Sequence, residues 1–346
     1  MPAEALTASI VDVPSPSGGE NRLADEVEAT LRSHAHLTVE RDADAVMART
    51  DVGTDRRVVI AGHLDTVPVA DNLPSRREGD KLFGCGTSDM KSGLAVMLRL
   101  AAAVTQPRHD ITWLFYDNEE TDAAHNGLGR VLRNEPQWLQ ADLAILMEPT
   151  ANKVEAGCQG TLRVLVVATG KRAHSARSWL GNNAIHAAGE VLTRLSSYEP
   201  RLVTIDGCEY REGLNAVRIE GGVSGNVVPD RCTIAVNHRF APDRTEEEAL
   251  RHVQELLAPF ECVLTDSAPA APPRLTEPAA ADFIAAIGGT PQAKLGWTDV
   301  ARFAGLGIPA VNFGPGDPNL AHTREEYVEL PRIGECERML RSYLTG

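Results

Sequence analysis

The feature that most constrains this chain is the alternation of short apolar runs with amphipathic stretches across its first 150 residues. Val58-Val59-Ile60-Ala61, Ile111–Tyr116 and Leu143–Met147 are runs too short for buried helices and are read as buried strands. Between them, Leu23, Val27 and Leu31 recur at four-residue spacing among charged neighbours, which predicts a helix over Asn21–Ser33. A second helix is expected from about Met90 to Val104, with Leu94, Met97, Leu98 and Ala101 on its inner face. Strands alternating with helices predict an α/β fold with a mostly parallel, helix-covered sheet. In such sheets ligands gather outside the carboxyl ends of the strands.

From about Gly160 the pattern changes. Strands are expected at Thr161–Ala168, Ala216–Glu220 and Cys232–Arg239, and helices at Asn182–Leu195 and Thr245–Leu257. Thr245 and Glu248 have the spacing of a capping box. This reads as a compact inserted α+β unit. Ser267–Pro273 is the most linker-like stretch, followed by a helix near Ala279–Ile287, a strand at Pro309–Phe313 and a last helix. The expected organisation is therefore a first domain in two parts, residues 1–158 and 270–346, interrupted by an insertion over 159–269.

A length of 346 residues suits two domains. The formal net charge of −14 argues against nucleic-acid and anionic-membrane partners, which require clustered Lys and Arg. The six cysteines stand singly with no C-x-x-C pair, so neither a disulfide scaffold nor a thiolate zinc ribbon is expected. Met1–Leu6 has no basic segment leading into an apolar run, and no 18-residue apolar stretch occurs. A cytoplasmic location is expected.

Five segments place metal-capable side chains beyond expected strands or at a helix start. They are Gly62-His63-Leu64-Asp65-Thr66, Gly84–Gly93 with Asp89, Asp117-Asn118-Glu119-Glu120, Met147-Glu148-Pro149-Thr150 and Ala321-His322-Thr323-Arg324-Glu325-Glu326. Each alone is ordinary, since a strand-end histidine is more often a hydrogen-bonding group and a Glu-Glu pair more often surface. Together, two imidazoles and three carboxylates suit two zinc or similar ions sharing a bridging carboxylate. The Gly-rich loop lacks G-K-[ST], and Asp89 stands where a phosphate would sit, which excludes a nucleotide cradle. No G-x-S-x-G nucleophile elbow is present.

In their order and separation these segments resemble the motifs of the dizinc aminoacylase/desuccinylase/carboxypeptidase family, over nearly the whole chain. Ala156–Thr161, Arg172–Ser178 and Gly296–Asp299 resemble its actinobacterial-type desuccinylase branch. The resemblance implies a ferredoxin-like inserted lid and dimerisation domain and two zinc ions, with cobalt or manganese able to substitute. It implies that Asp89 bridges the ions, that His63 and Glu148 complete one shell, and that Glu120 and His322 complete the other. Asp65 would orient His63, Glu119 would be the general base for a water between the ions, and Asp89–Met90 would be a cis peptide. His174 would reach across a homodimer to the developing oxyanion, and Asn215 and Arg239 would bind the substrate carboxylate. The implied substrate is a small N-acylated amino acid, on this branch N-succinyl-L,L-diaminopimelate, cleaved to succinate and L,L-diaminopimelate. An N-acetyl-amino-acid deacylase or dipeptidase of the same family is the alternative, and a non-catalytic metal-binding dimer scaffold a remote one.

Overall fold

The computed structural model describes residues 1–346, which divide into two compact units. The first comprises Met1–Ala156, Pro273–Gln292 and Arg302–Gly346, and the second Gly157–Pro272 with Ala293–Ala301.

The first unit is built on an eight-stranded mixed sheet. Its order is Thr38–Asp42, Ala45–Arg49, Asp110–Tyr116, Arg57–His63, Leu143–Leu146, Ala310–Asn312, Glu155–Ala156 and Gln292–Ala293. The centre is parallel: Arg57–His63 pairs in parallel with both Asp110–Tyr116 and Leu143–Leu146, which pairs in parallel with Ala310–Asn312. The antiparallel pairs lie towards the edges, as in Thr38–Asp42 with Ala45–Arg49 and the latter with Asp110–Tyr116. The central strands are the continuous apolar runs of the sequence, and every residue of Asp110–Tyr116 is buried. Burying a Leu, Ile or Phe stabilises by about 1.5–3 kcal/mol, so these strands anchor the unit. Ser92–Ala103 packs against the sheet and against Ala3–Val11 and Leu330–Thr345.

The helix expected from Met90 begins at Ser92 instead. Thr87–Lys91 is an irregular turn in which Asp89 (φ −121°, ψ 95°) and Met90 (φ −133°, ψ 35°) leave helical geometry. The Asp89–Met90 peptide is cis. Glycine permits the approach on both sides. Gly86 has φ +82°, and a Cβ on Gly93 would meet the Met147 carbonyl oxygen at 2.7 Å.

The second unit has a four-stranded antiparallel sheet, ordered Gly213–Gly221, Arg231–Phe240, Gly160–Thr169 and Glu261–Ala268. With Ala184–Ser196 and Glu246–Leu257 inserted, the chain order is βαββαβ, the ferredoxin-like arrangement. Alternate burial along Arg231–Phe240 turns Cys232, Ile234, Val236, His238 and Phe240 towards a core completed by Ala188, Val191, Ala249 and Val253. Thr245 and Glu248 form the expected capping box, worth about 1 kcal/mol. Glu261–Ala268 is a strand that the sequence reading did not assign. No helix of the structure is long and apolar enough to cross a membrane.

Candidate metal centre

Parallel pairing sets the carboxyl ends of the central strands side by side, and the chemistry-bearing segments follow from them. His63 ends Arg57–His63, Asp117–Glu120 follows Asp110–Tyr116, and Glu148 lies two residues beyond Leu143–Leu146. The Thr87–Lys91 turn contributes Asp89, and the turn-rich segment after Ala310–Asn312 contributes His322.

Three overlapping sets of ligand atoms result: His63 with Asp89 and Glu148, Asp89 with Glu120 and His322, and His63 with Glu119 and Glu120. Within each set the atoms lie within 4.8 Å of one another. His63 Nε2 is 3.1 Å from Asp89 Oδ1, while His322 Nε2 is 3.5 Å from Asp89 Oδ2 and 2.7 Å from Glu120 Oε1. Asp89 thus turns one carboxylate oxygen to each histidine, the disposition a bridging ligand needs.

Electrostatics favour a cation here. Contacts with Asp89 and Glu120 push the His322 imidazole up to about 10. Burial pulls His63 down, but its contacts with Asp65 and Asp89 outweigh this and carry it well above its ordinary value. Burial likewise raises Asp89, yet His322 and His63 hold its carboxyl far below the usual range. A pocket that draws protons onto imidazoles suits divalent metal ions, which compete with those protons for the same lone pairs. The mixed nitrogen and oxygen donor set fits zinc-like ions.

Asp65 faces His63 with its backbone carbonyl and with its carboxylate. His63 Nδ1 is 3.0 Å from the Asp65 backbone carbonyl and 3.5 Å from its Oδ1. An Nδ1–H donated to that carbonyl leaves the Nε2 lone pair facing Asp89. The buried carboxylate also accepts the Glu119 N–H (2.9 Å), the Glu120 N–H (3.0 Å) and the Ser17 hydroxyl (2.7 Å). It therefore ties the strand end bearing His63 to the turn bearing Glu119 and Glu120. That turn is held further by Asn118, whose N–H donates to buried Glu20, and by Asp117, which accepts both terminal nitrogens of Arg130 at 3.0 and 2.6 Å. The sequence alone assigns no role to Ser17, Glu20 or Arg130. The only signal is a turn-rich Pro14–Gly19 stretch running into a helix, and their partners become visible only once folded.

His63, Asp65, Asp89, Glu119, Glu120, Glu148 and His322 are brought together in the first unit. His174, Asn215 and Arg239 belong to the second. There His174 is exposed, its Nδ1 accepting the Ala176 N–H, beside an open cavity of ≈ 350 Å³ lined by Arg172, Ala173, Asn226 and Val227. Asn215 pairs with Asn237 and Gly213 with Arg239, so Asn215 and Arg239 are diagonal neighbours on one sheet face. Burial and nearby Arg163 lower the Arg239 pKa.

A sheet-edge site that gathers two imidazoles around shared carboxylates defines a metal-dependent hydrolase, and the comparisons agree. Residues 59–346 match the model of peptidase family M20/M25/M40, and the chain belongs to that family. It is 58% identical over 344 residues (99% of this chain and 97% of the relative) to the Mycobacterium tuberculosis protein named "Putative succinyl-diaminopimelate desuccinylase DapE". It is 48% identical over 351 residues (98% and 95%) to the succinyl-diaminopimelate desuccinylase of Corynebacterium glutamicum. The fold is shared with a Staphylococcus aureus tripeptidase, with a TM-score of 0.79 at 18% identity over 99% of this chain and 96% of that one.

Proposed function

We propose that the protein hydrolyses N-succinyl-L,L-diaminopimelate to succinate and L,L-diaminopimelate, using two zinc ions that cobalt or manganese can replace. The observation that carries the reading is Asp89, which faces His63 with one oxygen and His322 with the other. The identities of 58% and 48% over nearly the full chain support the succinyl substrate.

His63, Asp89 and Glu148 would hold one ion, and Asp89, Glu120 and His322 the other. When bound, such ions supply Lewis acidity, lowering the pKa of the attacking water and polarising the scissile carbonyl. Glu119 takes the water's proton and returns it to the leaving amine. Its backbone N–H donates to Asp65, and its carboxylate lies within reach of Glu120 and His63. Residues 159–269 act as a lid and dimerisation domain, with exposed Trp179, Leu180, Val217 and Ile219 supplying apolar surface for a second copy. From that domain Asn215 and Arg239 bind the substrate carboxylate, and His174 donates to the oxyanion in the partner copy. The six cysteines are all unpaired, as suits a cytoplasmic enzyme.

The test is a substrate panel with the zinc-loaded enzyme. N-succinyl-L,L-diaminopimelate is expected to exceed N-acetyl-amino acids and dipeptides in kcat/KM by orders of magnitude. Preferential turnover of an N-acetyl compound or a dipeptide would assign a different acyl specificity.

A further inference from the structure

His322 stands on the least supported segment of the site. No helix or strand is formed from Asn319 to Glu326, and the His322 side chain is 51% exposed. His63, by contrast, terminates a central strand and is 1% exposed. A ligand on such a loop binds a metal well only if something else fixes the loop.

The fixing contacts converge on the Gly86–Asp89 turn. Glu326, 2% exposed, accepts three backbone N–H groups from it: Gly86 at 3.0 Å on one oxygen, and Ser88 at 2.8 Å and Asp89 at 3.0 Å on the other. The Gly84 N–H donates to the Glu326 carbonyl at 3.0 Å. Ser88 closes the loop from both ends, accepting the Asp317 N–H at 3.1 Å and donating to the Tyr327 carbonyl at 2.8 Å. Gly316 packs so closely that a Cβ there would collide with the Ser88 backbone. The excursion carrying His322 is thus registered chiefly on the turn carrying Asp89, with further contacts from the Gly316 carbonyl to the Ala151 N–H and from Arg324 to Asp71.

We infer that Glu326 is a positioning residue. By clamping the Gly86–Asp89 turn it presents Asp89 and His322 as a preassembled pair for the second ion. The inference rests on the dinuclear reading above. His63 and Glu148 follow central strands and do not depend on the clamp, so its loss, which reaches both ions through the shared Asp89, falls more heavily on the ion that also uses His322. Glutamine cannot replace Glu326, because its amide nitrogen would turn a donor towards N–H donors.

The test is stepwise zinc binding to the full-length metal-free protein by chelator competition, comparing wild type, Glu326→Gln, Glu326→Asp and Ser88→Ala. The wild type is expected to take up two ions, and fewer would overturn the dinuclear reading itself rather than the clamp. Glu326→Gln is expected to weaken one of the two steps about 10- to 100-fold and to change the other far less. Glu326→Asp, which keeps the charge on a shorter stem, should fall between. At saturating metal, kcat and the visible spectrum of the cobalt-loaded enzyme should return to wild-type values, since Glu326 does not touch the reacting atoms. Unchanged affinity at both steps, equal loss at both, or a kcat that stays low at saturating metal would overturn the inference. Should Glu326→Gln fail to fold, Glu326→Asp and Ser88→Ala carry the same comparison without burying a new amide.

Discussion

At the scale of single residues, the centre depends as much on what holds its ligands as on the ligands. Asp65 is the clearest case: one buried carboxylate accepts two backbone N–H groups from the Glu119–Glu120 turn and a hydroxyl from Ser17. Asp65→Asn keeps the shape but turns an NH₂ towards these donors. It is expected to lower kcat by about 10- to 100-fold and also to lower the thermal unfolding midpoint of the metal-loaded protein, since buried donors lose their acceptor. Steady-state kinetics beside calorimetry check this, and unaltered kcat would remove Asp65 from the positioning scheme. The seven clustered side chains all lie in segments that stood out in the sequence, because strand-end His, Asp and Glu residues carry a legible chemistry. The supports were not legible. Glu20 and Glu326 act through backbone N–H groups of segments distant in sequence and Ser17 through its hydroxyl on Asp65, and no spacing rule announces such partners.

At the scale of elements, the central strands and their covering helices were legible because continuous apolar runs and four-residue periodicity leave little choice. Thr38–Asp42 and Ala45–Arg49 were not, because Glu40, Arg41, Asp42 and Asp44 mask an antiparallel pair joined by a two-residue turn. Glu261–Ala268 was not legible because it runs into the Pro/Ala stretch and is mostly exposed. The irregular Thr87–Lys91 turn was hidden within a helical pattern. In the second unit, His238 on Arg231–Phe240 lies 5.7 Å, centroid to centroid, from His252 on Glu246–Leu257. Burial lowers both below the ordinary 6.5, with Arg244 adding to the effect and Glu212 opposing it. The unfolded chain therefore binds more protons than the folded one as pH falls through 6.5. Stability from these groups is complete above that pH and lost below it, by up to about 1.4 kcal/mol per pH unit for each group. Amide hydrogen exchange in Arg231–Phe240 should accordingly show less protection at pH 5 than at pH 7 after correction for intrinsic rates. His238→Gln should flatten the difference, and an equal difference in that variant would contradict the assignment.

For the whole molecule, the net charge of −14 does not say what the protein binds. Part of that charge is gathered at one sheet edge, where Asp65, Asp89, Glu119, Glu120 and Glu148 stand close to two histidines. Alternation of strands and helices in the sequence foretold this edge, and the inserted unit was legible as α+β from both its helices and three of its four strands, Glu261–Ala268 excepted. The return of Ala293–Ala301 to the second unit was not legible, because a segment of nine residues carries no pattern of its own. The central claim is that two metal ions and Glu119 together hydrolyse an N-succinyl amide. It is tested most directly by measuring zinc content and N-succinyl-L,L-diaminopimelate turnover for the wild type beside Glu119→Gln. Both proteins should hold two ions per chain, with turnover in the wild type and a loss of about 10²- to 10⁴-fold in the variant. A fully metallated wild type without turnover, or a variant that keeps its activity, would contradict the account.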